Sequence, residues 1–407
     1  MPREARAPAA AVKSQSVPQS VLIVGAGPAG SAAARVLAQA GVSVSLVDQS
    51  TFPRDKTCGD GLIPDAFLAL RKLGLEARVR AEALPLAGLR VIAPDGREVD
   101  LAGDAACLPR LRLDALMRDA AEEAGARFLA PLRLKTFVEE AGRITGAHFT
   151  DAGGTTQTLQ APITLLATGA ATAPLAAAGL LLRKEASGFA LRGYYRHPRL
   201  AGELDRLVIA IDREVRGGYG WIFPGPDGVF NVGVGLFGGR DGSANVRRVF
   251  ERFVAHSPLA RALVEEGETV AAPRGAPLRT CLTGARFSRP GLLAIGETVG
   301  TTYAFTGEGI GKAIESGIAA AQAILDAPDE AALARDYAAR LDVHAARYAA
   351  YRKAQYWLSW PAVSNRLAER AARGGRVKRA LEGLLAETID PSALFTVRNL
   401  LRGLLSG

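Results

Sequence analysis

Three glycines near the N-terminus have the spacing that lets a peptide backbone approach a phosphate closely. Gly25, Gly27 and Gly30 follow an apolar run at 21–24 and precede residues 31–40, whose composition is typical of a helix. The glycines permit a sharp turn, and the N–H groups of the turn and the helix N-terminus can bind a pyrophosphate. The pattern indicates a dinucleotide site, although glycine turns of this spacing also occur for structural reasons alone.

An acidic residue in the expected place strengthens the dinucleotide interpretation. Asp48 ends the next predicted strand, at 42–48, where its carboxylate can accept hydrogen bonds from ribose hydroxyl groups. Pro28 and Ala29 lie inside the glycine turn and Gln49 follows the acid, so we expect all three to contribute to the nucleotide site. A strand, turn, helix and second strand in this order form the unit from which parallel sheets are built.

A second match to the same glycine spacing lies at Gly233, Gly235 and Gly238. It follows a β-type pattern and runs into a turn at 239–242 instead of opening a helix, so it lacks the context of a pyrophosphate site. We therefore expect no separate domain for a nicotinamide cofactor.

Four further segments carry a specific set of motifs. Residues 51–62 read Thr-Phe-Pro-Arg-Asp-Lys-Thr-Cys-Gly-Asp-Gly-Leu, residues 110–114 lead into a helix predicted at 112–124, and residues 218–224 read Gly-Tyr-Gly-Trp-Ile-Phe-Pro. Residues 296–310 contain Gly-Glu-Thr-Val-Gly and Thr-Gly-Glu-Gly-Ile. Together with the glycine turn, and in this order over roughly residues 20–325, they resemble the geranylgeranyl reductase family of flavoproteins, part of the aromatic-hydroxylase-like fold group.

The resemblance implies FAD as the cofactor. It places residues 296–300 at the ribityl chain, and a helix that starts near 310 directs N–H groups at the flavin pyrimidine edge, where negative charge develops on reduction. An ordinary helix cap is the alternative for that turn. For Arg54 and Lys56, which could contact FAD phosphate, solvated side chains are the alternative. The FAD-binding residues that the resemblance implies are Arg54, Cys58, Gly59, Arg110, Gly296, Glu297, Gly307, Gly309 and Ile310.

Cys58, Tyr219 and Trp221 are the catalytic candidates. The resemblance places Cys58 by the flavin ring, where its thiol could line the pocket or supply a proton after hydride delivery, and a buried structural cysteine is the alternative. Tyr219 and Trp221 are two apart on a predicted strand and share a face that Phe223 continues. These three aromatic side chains are expected to form a wall for an apolar substrate, with ordinary core packing as the alternative.

The chain departs from the family pattern at several positions. Glu297 stands where the second FAD motif has Asp, Ala304 stands where Pro is usual, and Arg216 precedes the aromatic motif where the family has Pro. The predicted strand at 163–167 is followed by Thr-Gly-Ala, without the Asp-Gly signature of the aromatic hydroxylases. This absence disfavours a monooxygenase, and the lack of a Trp-x-Trp-x-Ile-Pro tract disfavours a halogenase.

Composition and charge exclude several other classes of protein. The three cysteines and four histidines share no metal-ligand spacing, so neither a disulfide framework nor a metal site is expected. The net charge of +9 arises at the termini, since residues 21–330 hold 34 basic and 34 acidic side chains, so nucleic-acid binding is not supported. The uncharged segment at 161–182 contains Pro, Gly and Thr, and a buried strand at 163–167 explains it better than a membrane span.

The predicted fold is α/β (α+β overall), a Rossmann-like FAD-binding domain with an inserted antiparallel β-sheet substrate domain and a C-terminal helical region. Residues 1–19 lack the apolar run of a secretory signal and are expected to be a disordered lead. The FAD-binding domain is expected to be discontinuous, over 20–85, 103–182 and 275–330. The substrate domain comprises 86–102 and 183–274, and the helical region 331–407.

The resemblance implies a reductase that uses FAD to saturate carbon–carbon double bonds of a geranylgeranyl-type lipid or related polyene. An external electron donor would be needed, namely NAD(P)H, ferredoxin or a flavin reductase. A monooxygenase or halogenase of the same fold and a non-catalytic flavin-binding module are the alternatives. The predicted location is cytoplasmic. Aromatic and basic residues at 347–379 suit either a membrane surface or core packing, so peripheral contact with the inner face of the membrane is one option.

Overall fold

Three β-sheets organise the chain. The computed structural model describes residues 20–237, 245–396 and 399. The predicted lead at 1–19, Gly238 with the turn at 239–242, and the end of the helical region lie outside these described residues. The strands are β1 Ser20–Val24, β2 Ser43–Val47, β3 Gly61–Leu62, β4 Leu84–Ile92, β5 Glu98–Cys107, β6 Arg127–Leu129, β7 Arg133–Glu140, β8 Arg143–Thr150, β9 Thr156–Gln160, β10 Ile163–Leu166, β11 Gly188–Arg196, β12 Leu207–Ala210, β13 Gly218–Pro224, β14 Val229–Phe237, β15 Glu268–Leu278, β16 Ser288–Arg289 and β17 Leu292–Ala294.

Helices cover the sheets and fill the C-terminal region. They are α1 Pro28–Gln39, α2 Pro64–Lys72, α3 Glu76–Glu82, α4 Arg110–Glu123, α5 Thr172–Ala177, α6 Val246–His256, α7 Pro258–Arg261, α8 Ile310–Asp326, α9 Glu330–Asp342, α10 Ala345–Leu358, α11 Pro361–Ala372, α12 Gly375–Leu385 and α13 Pro391–Leu394.

The first sheet contains the strand that leads into the glycine turn. Its strand order is β16-β17-β10-β1-β2-β6, and every neighbouring pair is parallel except β16 with β17. Strands β1, β2 and β10 are short and almost entirely apolar because helices cover this sheet, and α1 packs on α4 and α8. The carboxyl ends of β1 and β10 meet at the glycine turn, the edge at which parallel sheets bind ligands.

The second sheet has eight strands in the order β15-β11-β14-β13-β12-β4-β5-β3. All its pairs are antiparallel except β12 with β4. The third sheet is the small meander β7-β8-β9. The α/β fold with an antiparallel sheet and a C-terminal helical region is thus confirmed.

The C-terminal helices cover one side of the eight-stranded sheet. Helices α11 and α12 pack on β5, and Leu385 of α12 lies directly over Gly103, where an added Cβ would come within 2.5 Å of its Cδ2. Buried Ala368 and Ala371 of α11 join Leu101 of the sheet in one apolar cluster. Helices α11 and α12, called the roof below, therefore cover one side of the eight-stranded sheet.

Two predicted helix boundaries are wrong. The helix predicted at 31–40 starts at Pro28, because Gly27 is its N-cap and proline fits the first helical turn. The helix predicted at 112–124 starts at Arg110. The chain changes sheets between β9 and β10, where Pro162 has no N–H for a sheet ladder.

The long uncharged segment does not form a helix of membrane-spanning length. Residues Ile163–Leu166 are the predicted buried strand, and a loop and the short helix Thr172–Ala177 follow it. Across the described part of the chain, no helix combines the length and the apolar character needed to cross a bilayer.

Candidate functional site

A continuous cavity of about 650 Å³ connects the glycine turn, the aromatic strand β13 and the C-terminal helices. All the residues predicted to bind cofactor or substrate line it, with the exception of Gly30. The lining residues among those predictions are Gly25, Gly27, Pro28, Ala29, Asp48, Gln49, Arg54, Cys58, Gly59, Arg110, Tyr219, Trp221, Phe223, Gly296, Glu297, Gly307, Gly309 and Ile310.

Gly30 serves the packing of the turn. A Cβ at this position would lie 1.9 Å from the carbonyl oxygen of Gly25, a distance that no side chain tolerates. Gly25 itself has a φ of 107°, and a Cβ there would lie 2.3 Å from the oxygen of Ala167. The glycine pattern therefore brings α1 against the ends of β1 and β10, and Gly27 faces the cavity.

Asp48 is held rigidly at the carboxyl end of β2. Its Oδ2 accepts a hydrogen bond from the backbone N–H of Ala26 at 2.9 Å, and its Oδ1 accepts one from Ser50 at 3.0 Å. The carboxylate is buried and lines the cavity, where it can accept hydrogen bonds from hydroxyl groups. Its geometry suits the predicted ribose contact.

Two arginines flank the glycine turn and share one buried acid. Arg110 donates to Asp114 from Nε at 2.6 Å and from Nη2 at 2.8 Å, and Arg54 donates from Nη1 at 3.0 Å. A Cβ on Gly27 would lie 3.7 Å from Nη2 of Arg54 and 4.0 Å from Nη2 of Arg110. Both positive charges thus lie beside the N-terminus of α1, an arrangement suited to a pyrophosphate.

Asp114 ends the motif segment 110–114 but was not among the predicted site residues. Its carboxylate is fully buried and fixes both guanidinium groups. Burial lowers the pKa of Arg110, but the neighbouring Asp114 and Cys58 raise it by more, so its pKa lies above the ordinary value and the side chain stays charged. The i, i+4 spacing of Arg110 and Asp114 on a predicted helix was the available signal.

Hydrogen bonds hold residues 296–310, the second FAD motif, to α8 and to the aromatic strand β13. The N–H of Gly296 donates to Oγ of Ser316 on α8 at 2.8 Å. The hydroxyl of Tyr219 donates to the carbonyl oxygen of Thr306 at 2.5 Å, which joins β13 to the turn before α8. Glu297 lines the cavity, and its Oε2 lies 3.6 Å from the Cβ position of Gly169.

The aromatic side chains of β13 form a continuous surface of the cavity. The ring centroids of Tyr219 and Trp221 are 6.2 Å apart, and those of Trp221 and Phe223 are 6.4 Å apart. Gly233 of β14 lies opposite Trp221, and a Cβ there would lie 2.3 Å from the indole ring. The second glycine-rich match therefore makes room for the tryptophan, as expected of a sequence that does not bind a nucleotide.

A buried polar network, which the motifs did not predict, positions the loop at Cys58. Asn231 donates from Nδ2 to the carbonyl oxygen of Cys58 and to Oδ2 of Asp60, both at 2.7 Å, and its Oδ1 accepts from Trp221 Nε1 at 2.8 Å. The hydroxyl of Tyr194 donates to Asp60 at 2.5 Å, and the N–H of Asp60 lies 3.4 Å from the Cys58 sulfur. The network links the loop at Cys58 to strands β11 and β14 of the eight-stranded sheet.

Two buried carboxyl groups have raised pKa values. Burial raises the pKa of Asp60 to about 6, although Tyr194 and Asn231 oppose the shift. Burial raises the pKa of Asp65 to about 7 against the opposing charge of Lys312. Asp65 lines the cavity beside the first turn of α8, and within the described residues its Oδ2 has no hydrogen-bond partner. Near neutral pH a protonated Asp65 can donate a hydrogen bond to a ligand.

Replacing Asn231 by leucine is expected to destabilise the protein by about 2–4 kcal/mol, because three buried partners lose their hydrogen bonds together. The free energy of unfolding in urea measures the effect. Asn365→Leu is the matched control, since Asn365 accepts one hydrogen bond from the exposed N–H of Asp95. Equal losses for the two variants would show that the Asn231 network does not stabilise the fold.

The residues present fit FAD. The N-terminus of α1 and two fixed guanidinium groups suit the phosphates, and Asp48 supplies an acceptor for a ribose. The cavity continues from there past Cys58 to Gly309 and Ile310 at the N-terminus of α8.

Comparison with known proteins gives the family. The model for the FAD binding domain matches residues 19–189, and the model for the geranylgeranyl reductase catalytic domain matches residues 195–271. Menaquinone reductase of Mycobacterium tuberculosis is 34% identical over 77% of this chain and 78% of its own. Digeranylgeranylglycerophospholipid reductase 2 of Methanopyrus kandleri is 26% identical over 76% of this chain and 78% of its own.

A solved structure shares the fold. The geranylgeranyl bacteriochlorophyll reductase-like protein of Thermoplasma acidophilum superposes with a TM-score of 0.74 at 21% identity, over 95% of this chain and 96% of the other. The resemblance inferred from the motifs is confirmed, and so is FAD as the cofactor. The chain belongs to the geranylgeranyl reductase family of FAD-dependent oxidoreductases.

Proposed function

We propose that this enzyme saturates carbon–carbon double bonds in the prenyl chain of a quinone or a geranylgeranyl-type lipid. The observation that carries the proposal is the lining of the cavity, which combines the cofactor turn, the aromatic residues of β13 and apolar side chains of the C-terminal helices. A prenyl chain is long, narrow and apolar, and an apolar channel beside a flavin suits it better than a polar or aromatic substrate.

The distal part of the cavity consists of apolar side chains from both sides. The sheet contributes residues of β4, β5 and β12, and the roof contributes residues of α11 and α12. These lining residues are Leu89, Val91, Ala93, Val99, Leu101, Leu207, Ile209, Leu367, Ala368, Ala371, Leu381, Leu384 and Leu385. Burial of a prenyl chain against them is favourable at roughly 25 cal/mol per Å² of apolar surface removed from water.

Reduction of the double bond needs one hydride and one proton. FAD bound beside Cys58 and β13 would, in its reduced form, be the source of the hydride. The proton for the adjacent carbon must come from a group that lines the cavity or from water, and Cys58 is the proposed donor. Burial raises the pKa of Tyr219, so its phenol stays neutral and keeps its hydrogen bond to Thr306 while it orients the chain with Trp221.

Electrons would come from an external donor, either NAD(P)H, ferredoxin or a flavin reductase. We place the enzyme in the cytoplasm, at the inner face of the membrane, where prenyl lipids are present. We also propose that the chain divides into an FAD-binding domain, a substrate domain and a C-terminal helical region that covers the substrate domain.

An anaerobic single-turnover assay tests the function. The protein is loaded with FAD, reduced chemically and mixed with a panel of prenyl substrates that includes a menaquinone and a geranylgeranyl lipid. Mass spectrometry should find the gain of two hydrogens per bond in at least one substrate. If no panel member gains hydrogen, and an oxygen or halogen is inserted once air or halide is present, the reductase assignment is wrong.

Cys58→Ser is expected to lower kcat by about ten- to a hundredfold, because a positioned proton donor typically contributes about a hundredfold or more to the rate. The FAD content of the variant should be unchanged. Rapid-mixing measurements of flavin re-oxidation by the prenyl substrate give the rate. Cys281→Ser is the matched control, because Cys281 is also partly buried but does not line the cavity. A rate for Cys58→Ser equal to that of the control would assign Cys58 a structural role.

A further inference from the structure

The aromatic residues of the C-terminal region divide into two groups. Tyr348 and Tyr351 are buried, and their ring centroids lie 4.7 Å and 4.4 Å from that of Tyr303. The hydroxyl of Tyr348 also donates to the carbonyl oxygen of Thr301 at 2.8 Å. These side chains anchor α10 to the loop that precedes α8, so core packing explains them fully.

The other group is exposed at the turn between α10 and α11. Tyr356 is 60% exposed, Trp357 is 39% exposed and Trp360 is 57% exposed. Large aromatic side chains in water at this density need a partner, because exposed apolar patches mark interaction sites. Tyrosine and tryptophan in particular prefer the boundary between a bilayer and water.

The charge around this turn identifies the chemistry of the partner. Residues 345–390 contain nine Lys and Arg against three Glu and one Asp. Arg347 is paired with Glu387 and adds no free charge to the surface. Arg352 and Lys353 are exposed on α10, less than two turns before Trp357. Aromatic and basic side chains together complement a bilayer with anionic lipids, whose negative surface attracts the cations while the rings insert among the headgroups.

The same turn lies at an opening of the substrate cavity. Leu358, Ser359 and Ser364 line the cavity, and Ser359 is exposed to solvent. The apolar lining of the cavity thus reaches the surface between Trp357 and Trp360. A prenyl chain that enters here would pass from a bilayer to the flavin site along apolar surface.

Hydrogen bonds also hold this turn to the eight-stranded sheet. The side chain of Gln355 donates from Nε2 to the carbonyl oxygen of Phe237 at 2.5 Å and to that of Gly217 at 3.2 Å. These oxygens lie at the ends of β14 and β13, next to Tyr219, whose ring centroid is 5.7 Å from that of Phe237. The opening therefore has a fixed position relative to the aromatic wall.

We propose that Tyr356, Trp357, Trp360, Arg352 and Lys353 form a docking surface for an anionic bilayer, and that the adjacent opening at Ser359 admits the prenyl chain of a membrane lipid. The proposal rests on the proposed function for the identity of the chain that enters. It adds the partner and the route, and it assigns the C-terminal helices a role in substrate access.

Vesicle binding by the FAD-loaded full-length protein tests the docking surface. Vesicles of phosphatidylcholine alone are compared with an equimolar mixture of phosphatidylcholine and phosphatidylglycerol. Trp357→Ser/Trp360→Ser and Arg352→Glu/Lys353→Glu should each lower the partition coefficient on the mixed vesicles by about tenfold or more. The matched controls, Leu68→Ser/Leu111→Ser and Arg247→Glu/Arg248→Glu, change exposed side chains elsewhere and should bind as the wild type does.

Tryptophan fluorescence gives an independent readout. Trp357 and Trp360 are exposed, whereas the remaining tryptophan, Trp221, is buried in the site. Brominated lipids should therefore quench the wild-type emission and leave that of Trp357→Ser/Trp360→Ser unchanged.

Activity on two forms of substrate separates this proposal from the proposed function. The tryptophan variant should reduce a short, water-soluble prenyl diphosphate at the wild-type rate and a vesicle-embedded menaquinone about tenfold more slowly or worse. Three results would each overturn the docking surface. The tryptophan variant could reduce the vesicle-embedded substrate at the wild-type rate, or both double variants could bind vesicles as the wild type does. Sedimentation could also show a wild-type dimer that the tryptophan variant no longer forms. Loss of reduction on both substrate forms in the wild type itself would overturn the proposed function instead.

Discussion

Asp114→Asn is expected to lower the affinity for FAD by about a hundredfold or more. Removing one partner of a buried ion pair typically destabilises the fold by about 3–5 kcal/mol. We expect about 2.7 kcal/mol of this to appear as weaker FAD binding, because the two arginines lose their fixed position, and each 1.4 kcal/mol is a factor of ten in affinity. Asp114 is fully buried and holds the guanidinium groups of Arg54 and Arg110 beside Gly27. An asparagine keeps the shape of the side chain but presents an N–H donor to groups that are themselves donors.

A titration of the apoprotein followed by flavin fluorescence measures this affinity. Asp119→Asn is the matched control on the same helix, because its carboxylate is 43% exposed and pairs with Arg118 at the surface. The control should bind FAD as the wild type does, since exposed ion pairs contribute about 0–1 kcal/mol. Equal affinities for the two variants would show that the arginines need no buried acid to bind the cofactor.

The parts of the site that depend on local sequence were predictable. The glycine turn with Asp48 and the two segments of the second FAD motif are short patterns, and steric limits on the backbone leave little choice of conformation. Gly25 and Gly30 illustrate this, because any side chain there would collide with backbone oxygens. Tyr219 and Trp221 were placed together because alternate residues of a strand share one face.

The parts that depend on contacts distant in sequence were not predictable. Tyr194 and Asn231 meet Asp60 across 134 and 171 residues, and no local pattern reports such a contact. Each of these three side chains is common on protein surfaces, so its type gave no signal of burial. The packing of α11 and α12 on β5 also joins segments more than 250 residues apart, and the composition of the helices left membrane contact and core packing equally open.

These distant contacts separate the residues around the cofactor from the residues that form the distal part of the cavity. The glycine turn, Asp114 and α8 surround the cofactor, whereas the length of the cavity is set by the roof that α11 and α12 form over the sheet. Changes in the roof should therefore alter the choice of substrate without altering the flavin, which makes the roof the place to test the proposed prenyl substrate.

Ala368→Phe is expected to shorten the cavity and exclude long prenyl chains. Ala368 is buried on α11 and lines the distal cavity opposite Val99 and Leu101, so a phenyl ring there occupies space that the far end of the chain would use. Each methylene that returns to water costs about 0.8 kcal/mol, so the loss of a few lowers kcat/KM by about a hundredfold. A geranyl substrate, which ends short of this region, should be reduced within about threefold of the wild-type rate.

Steady-state kinetics with geranyl and geranylgeranyl substrates measure the ratio of the two kcat/KM values. Val99→Phe changes the opposite wall and should shift the ratio in the same direction, which guards against a misfolded single variant. Ala372→Phe places the same ring on the exposed face of α11 and should leave the ratio unchanged. If both cavity variants reduce the long chain as well as the control does, the chain does not lie under the C-terminal helices, because a filled channel cannot hold the isoprene units that the proposed substrate requires.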